Sequence, residues 1–138
     1  MSSLEALYQD ILLDHHRSPR NFGELEAPQM KAEGFNPMCG DRVCVQLNLE
    51  NEKIVPRFKG EGCSICLASA SMMTEEIEGL RCEEALEKIA EMRDFMQGGE
   101  KNLEGDLSAL SGVRRFPVRI KCALLPWTTL KEALDAKV

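Results

Sequence analysis

The stretch Arg42-Val43-Cys44-Val45-Gln46-Leu47-Asn48-Leu49 decides the fold class. Val43, Val45, Leu47 and Leu49 alternate with Arg42, Cys44, Gln46 and Asn48, which is the period of a strand with one covered and one wet face. That pattern predicts an antiparallel meander, because parallel sheets are apolar on both faces. Glu50-Asn51-Glu52 reads as a turn, and Lys53 to Lys59 as a second strand. Pro56 asks for an edge or a bulge there, since it has no N–H for the ladder. Met30 to Gly34 reads as a short third strand.

Past Gly62-Cys63 the period becomes helical. Ile65, Ala68 and Met72 with Ala70, Met73 and Ile77 make a broad apolar face that ends near Gly79. A further helix is expected over Cys82 to Met96, with Leu86, Ile89, Ala90 and Phe95 inward. Gly98 to Gly105 reads as a polar loop, and Asp106 as the cap of a short helix through Leu110. Pro117 suits the first turn of a last helix. Its core stripe is Ile120, Ala123, Leu124, Trp127, Leu130 and Leu134, with a kink expected at Pro126. At the other end, Leu4, Leu7, Tyr8, Ile11 and Leu12 stripe a first helix that a Ser2-x-x-Glu5 capping box would start. That helix fades before Pro19, and Arg20 to Pro28 is a connecting loop. Strands followed by helices predict an α+β fold, a small antiparallel three-stranded sheet with helices packed on one face. The chain reads as a single domain over 1–138, without repeats or linkers.

Seventeen Lys and Arg against 23 Asp and Glu give a net charge of −6. Such a surface repels phosphate backbones, so no nucleic-acid partner is expected. No apolar run is long enough to span a membrane, and the start lacks a secretory signal, which makes a cytoplasmic location the expectation. In a reducing compartment the six cysteines are not disulfide staples. Metal binding, sulfur chemistry and packing remain.

Cys39 and Asp41 flank Gly40 at the mouth of the long strand. Extended residues two apart point to the same side, so thiol and carboxylate converge; a turn in which Asp41 satisfies backbone donors is the plainer alternative. Cys63 lies where a strand ends and a helix begins, and the amides there favour a thiolate. Cys122 sits about 200° around its helix from Ile120 and turns away from the core stripe. Arg115 and Arg119 share its face and are expected to lower its pKa, whereas simple packing beside Val118 and Leu125 is the other reading. Cys44 has outward parity and Cys82 starts a helix. Cys66 makes a Cys63-x-x-Cys66 pair, but it aligns with Ala70, Met73 and Ile77 and no βαβ frame surrounds it, so core packing is the better reading and a redox role the alternative. His15 and His16 point in different directions at a helix end and read as solvent or capping residues. Three thiols and one carboxylate make a set suited to tetrahedral zinc or to an iron–sulfur cluster. Four anionic ligands leave a zinc site net negative, which Arg119 and Lys121 would offset. A hard oxygen donor on a soft site suggests that a ligand or the cargo exchanges.

At these residues the sequence resembles the U-type iron–sulfur assembly proteins, the family of IscU, SufU and the amino-terminal part of NifU. The matching stretches are Asn36-Pro37-Met38-Cys39-Gly40-Asp41, then Gly60-Glu61-Gly62-Cys63-Ser64-Ile65 with Ala68-Ser69-Ala70-Ser71, and Val118-Arg119-Ile120-Lys121-Cys122-Ala123. Ser18-Pro19-Arg20-Asn21-Phe22-Gly23 resembles the family's amino-terminal segment. The resemblance implies a small α+β fold whose site is Cys39, Asp41, Cys63 and Cys122. Two features are similar to SufU: the long stretch between Cys63 and Cys122, with the extra length in Gln97 to Arg115, and Lys121 where IscU has a histidine. Cys66 departs from the family, which has serine or alanine there, and it leaves an extra thiol open.

Two functions follow as expectations. In the first, zinc sits on the four residues, and a SufS-like cysteine desulfurase displaces Cys39. Cys39 then attacks the persulfide, as the resemblance to SufU implies. In the second, the same residues hold a [2Fe–2S] cluster or iron, and the chain is a scaffold serving downstream iron–sulfur assembly or acceptor proteins. A purely structural zinc is the plain third option. A homo-oligomer is left open by the sequence.

Overall fold

The computed structural model describes residues 3–136, with side chains from Glu5 onward. The capping box expected at Ser2 and the start of the first stripe at Leu4 therefore lie outside the described side chains. The elements run α1 (Ser3–Arg17), β1 (Met30–Asn36), β2 (Asp41–Glu50), β3 (Lys53–Glu61), α2 (Ser64–Ile77), α3 (Cys82–Met96), a 3₁₀ helix (Gly105–Arg115) and α4 (Pro117–Asp135).

The sheet has the order β1-β2-β3, and both pairings are antiparallel. Its register follows from the alternation. Met30, Ala32, Gly34 and Asn36 oppose Leu47, Val45, Val43 and Asp41, and on the other side Pro56, Phe58 and Gly60 oppose Leu47, Val45 and Val43. One face therefore collects the apolar residues, and Asp41 ends the same row as Val43, Val45 and Leu47. A one-residue slip would turn the whole row to the other face. Asn51 and Glu52 both take positive φ in the tight β2–β3 turn, the twist that a two-residue hairpin needs. Pro56 lies on an edge strand as expected. Its neighbours along the outer edge, Ile54 and Phe58, donate their N–H groups to Leu80 and Asn21. Pro56 sits between them with no N–H left to satisfy.

Helices α4 and α2 lie on the apolar face, with α1 on α2 and α3 on α4. Gly34 lets α4 cross β1 closely, because a Cβ there would fall 2.1 Å from Thr129 Oγ1. The core gathers around Phe58, Met72, Met73, Leu130 and Trp127, all fully or almost fully buried. Trp127 donates its indole N–H to Ser69 Oγ at 3.0 Å, and Ser69 donates to the Ala123 carbonyl at 2.6 Å.

Several expectations need correction. Gln46 is buried, not wet, because the Arg20–Pro28 loop folds over the outer face and the Leu25 N–H donates to its side chain at 2.7 Å. Leu86 is 38 % exposed and Ala90 is also exposed, while Ala85, Met92 and Met96 turn inward beside Ile89 and Phe95. The buried face is thus centred one residue away from the predicted stripe. Leu7 is exposed too. Asp106 does not cap the 3₁₀ helix, whose N-cap is Glu104. Helix α4 extends to Asp135 with Pro126 inside it, in line with the stripe expected through Leu134.

Candidate metal centre

Cys39 rides on the four-residue turn that joins Asn36 to Asp41, between the ends of β1 and β2. The Asn36 side chain shapes that turn by accepting the Met38 N–H at 3.3 Å. Asp41 follows on the inner row of β2 and is completely buried. Its Oδ1 accepts the Cys63 N–H at 2.8 Å, 22 residues along the chain, and its Oδ2 accepts from Asn36 Nδ2 at 3.4 Å. Both sequence readings of Asp41 are therefore realised: it satisfies a backbone donor, and it also faces the thiols. Gly62 makes this approach feasible. A Cβ on it would lie 2.3 Å from Asp41 Oδ1, and its φ of +146° is one that L side chains rarely adopt.

Cys63 is the N-cap of α2, and its side chain makes no capping hydrogen bond. Its Sγ is therefore free to face Asp41 Oδ2, 4.0 Å away. Cys122 comes from α4, is fully buried, and places its Sγ 3.1 Å from Cys39 Sγ and 3.7 Å from Asn36 Nδ2. The donor atoms of Cys39, Asp41 and Cys122 all lie within 4.8 Å of one another. Cys63 stands outside that mutual distance. Cys44 and Cys82 are half-buried and lie elsewhere, on the middle of β2 and the start of α3.

The electrostatics correct one expectation. The Cys122 thiol is pushed up, not down: burial is the main cause, and hydrogen bonding to Cys39, Asp41 and Cys63 adds to it. Cys122 lies off the α4 stripe yet is fully buried, and α4 packs against α2, β1 and β2, so the helix has more than one buried face. Arg119 is exposed and turns its guanidinium to Cys63. Arg119 is held above its ordinary value, first by its Coulombic interaction with Cys63 and then by those with Cys122 and Cys39. Arg115 lines a groove between α1 and the 3₁₀ helix together with Arg114 and Arg119. Lys121 is exposed. Cys66 is buried in α2, and burial drives its thiol well above the usual range.

A tetrahedral zinc with bonds of about 2.3 Å to sulfur and about 2.0 Å to oxygen needs donors about 3.5–3.8 Å apart. The observed 3.1 Å between Cys39 and Cys122 and 4.0 Å between Cys63 and Asp41 bracket that separation. The separations between Cys39 and Cys122 and between Cys63 and Asp41 are close to that value, while Cys63 would have to move further towards the other two sulfurs to complete the set.

The sequence profile of the NifU-like N-terminal domain matches residues 7–136. The chain belongs to this family. It is 42% identical over 137 residues to the zinc-dependent sulfurtransferase SufU of Bacillus subtilis, a match covering 96% of this chain and 92% of that protein. It is 38% identical to the iron–sulfur cluster assembly scaffold protein IscU of Streptococcus pyogenes, over 97% of this chain and 86% of the relative. Among solved structures, a SUF-system iron–sulfur cluster assembly scaffold protein from Fervidobacterium islandicum superposes with a TM-score of 0.85 at 34% identity, over 96% of this chain and 99% of the other. The α+β family fold is thus shown by structure as well as by sequence.

One group of residues escaped the sequence reading. His15 is fully buried rather than solvated, with Nδ1 2.7 Å from Ser71 Oγ and Nε2 2.8 Å from Asp106 Oδ2. A carboxylate only accepts, so Nε2 carries a proton and donates to Asp106. Ser71 Oγ also accepts the Arg20 N–H at 2.8 Å. His15 is the last inward position of α1. The stripe Tyr8, Ile11, Leu12 continues to it at helical spacing, and this was the available signal.

Proposed function

We propose that this chain is a zinc-dependent sulfur acceptor of iron–sulfur cluster assembly, taking persulfide sulfur from a cysteine desulfurase at Cys39. The observation that carries the reading is the meeting of Cys39, Asp41 and Cys122 donor atoms within 4.8 Å, with Cys63 beside Asp41. Its similarity to a relative named a zinc-dependent sulfurtransferase supports the choice of chemistry. Cys39, Asp41, Cys63 and Cys122 are the proposed ligands, and Arg119 and Lys121 offset their charge. Bound zinc would hold the thiols deprotonated and lower the cost of placing anions in a buried site.

Cys39 is the proposed nucleophile because it is partly exposed and sits on a turn, whereas Cys122 and Asp41 are buried. Cys63 is tied down through its own N–H. Once Cys39 leaves the ligand set, its thiolate attacks the terminal sulfur of the donor persulfide. The sulfur–sulfur bond of the donor breaks, the donor cysteine departs as a thiolate, and Cys39 carries the persulfide. We expect Cys39→Ala to remain folded and to abolish sulfur acceptance when zinc-loaded protein is mixed with desulfurase and cysteine. Unaltered turnover in that variant would refute the role of Cys39.

A second reading is favoured by the relatives named scaffold proteins. The same four residues would carry a [2Fe–2S] cluster as cargo, with Asp41 as the labile ligand, for downstream assembly or acceptor proteins. Cluster absorbance from iron and sulfide, passed on to an apo-ferredoxin, would support it. Failure to hold any cluster while one zinc stays per chain would set it aside.

A further inference from the structure

Cys66 has no part in the proposed ligand set or in sulfur acceptance, yet it lies one helical turn beyond Cys63. Cys63 is the N-cap of α2, and its carbonyl already accepts the Leu67 N–H at 3.2 Å. Helical geometry from that point puts the two Cα atoms about 5 Å apart, inside the range of about 4.4–6.8 Å that a disulfide spans without backbone movement. The two thiols differ in access. Cys63 is partly exposed and makes no capping bond, whereas Cys66 is fully buried. An accessible thiol at a helix start with a sheltered thiol one turn behind it is the layout of a dithiol couple, in which the second sulfur resolves what the first has captured.

We propose that Cys63 and Cys66 form a reversible dithiol–disulfide couple, closed by a hydroperoxide, that withdraws Cys63 from the ion site. The couple stands on the α2 geometry alone, and only its effect on the ion rests on the function proposed above. The Cys63 sulfur attacks a peroxide oxygen. The O–O bond breaks, the departing hydroxide takes the Cys63 proton as water, and Cys63 becomes a sulfenic acid. The Cys66 sulfur then attacks the Cys63 sulfur. The S–S bond forms, the S–O bond breaks, and the departing hydroxide takes the Cys66 proton as water. In total two thiols lose two electrons, and hydrogen peroxide becomes two waters. A dithiol reductant reverses the step by forming its own disulfide. Among the described cysteines, Cys39 and Cys122 are the competing pair, with sulfurs 3.1 Å apart. In the ion-bound chain Cys39, Cys63 and Cys122 are all proposed ligands, and Cys63 alone has a thiol outside the set, Cys66, one helical turn away to resolve it.

The test treats zinc-loaded full chain, and in parallel metal-free chain, with hydrogen peroxide in the absence of oxygen. Disulfides are mapped by mass spectrometry, and released zinc is read with a chromophoric chelator. The expected result is loss of two of the six thiols, a link between residues 63 and 66, release of zinc in step with the link, and recovery of both on adding dithiothreitol. Cys66→Ser should give no such link, and its Cys63 should proceed to the sulfinic acid that dithiothreitol does not reverse. A Cys39–Cys122 link in the wild type, or equal recovery in Cys66→Ser, would overturn the couple. A 63–66 link that leaves bound zinc in place would sustain the couple and overturn the placement of Cys63 among the ligands.

Discussion

One carboxylate serves both the fold and the proposed chemistry. Asp41 Oδ1 holds the start of α2 by accepting the Cys63 N–H, while Oδ2 faces the sulfurs. The two tasks separate on substitution. Asp41→Asn keeps a neutral acceptor for the amide, so unfolding in urea, followed by Trp127 fluorescence, should shift by no more than about 1 kcal/mol. The same variant lacks the anionic oxygen, and competition with a chelator should show zinc held at least about tenfold more weakly. Equal zinc affinity would remove Asp41 from the ligand set. Cys66 provides a pH prediction. Burial raises its pKa, so the native thiol stays protonated where the unfolded one ionises, near about 8.5. Its contribution is whole below that pH and falls above it by up to about 1.4 kcal/mol per pH unit. Cys122 is shifted in the same direction and adds to the fall in metal-free protein. Cys66→Ala should therefore flatten part of the loss of urea midpoint between about pH 8.5 and about pH 10, the range above the ordinary thiol value. Strand parity predicts that Cys39 and Asp41 converge, but for the wrong reason: Cys39 lies on a turn with Gly40 at a φ of +67°, and the turn, not an extended strand, brings the thiol to the carboxylate. The direction of the Cys122 shift was not legible, because nearby arginines are visible in a sequence and burial from a second side is not.

Helix α1, helix α2 and the 3₁₀ helix are joined at His15. Its ring links Ser71 on α2 to Asp106 on the 3₁₀ helix, and Glu75 Oε1 stands 3.7 Å from Nε2. His15→Ala should cost about 1–3 kcal/mol, since it strands partners around a buried ring. Asp106→Asn keeps an acceptor and should cost less than half as much. Chemical denaturation checks both, and an unchanged midpoint in His15→Ala would mean that the network holds nothing together. Strands were the most legible elements, since alternation fixes both their existence and their facing. The Gln46 position misled because a loop distant in sequence covers the outer face there. Stripe centring in α3 was off because Leu86 and Ala90 flank the buried face without entering it. The short helix expected through Leu110 is present but runs on to Arg115, and its Asp106 is spent on His15 instead of on a cap.

Across the whole molecule, the described residues form one hydrophobic core under a single sheet face, and no described helix is long and apolar enough to cross a membrane. The proposed ligands enter from the β1–β2 turn, β2, the start of α2 and α4, so only the assembled fold brings them together. Exposed apolar residues ring that end, with Phe35 and Met38 on the turn side and Phe116 and Val118 at the start of α4. Sequence patterns pointed to the fold class and to the donor types of the proposed site; the closeness of sulfur to carboxylate required the register and the packing of α4. A rival ion position exists in the chain at His15, Glu75 and Asp106, where the donors are only nitrogen and oxygen. X-ray absorption at the zinc edge of protein purified without oxygen separates the two. The account predicts three sulfur neighbours at about 2.3 Å and one oxygen at about 2.0 Å, with one sulfur lost in Cys122→Ser. A shell of nitrogen and oxygen alone, unchanged in that variant, would contradict it.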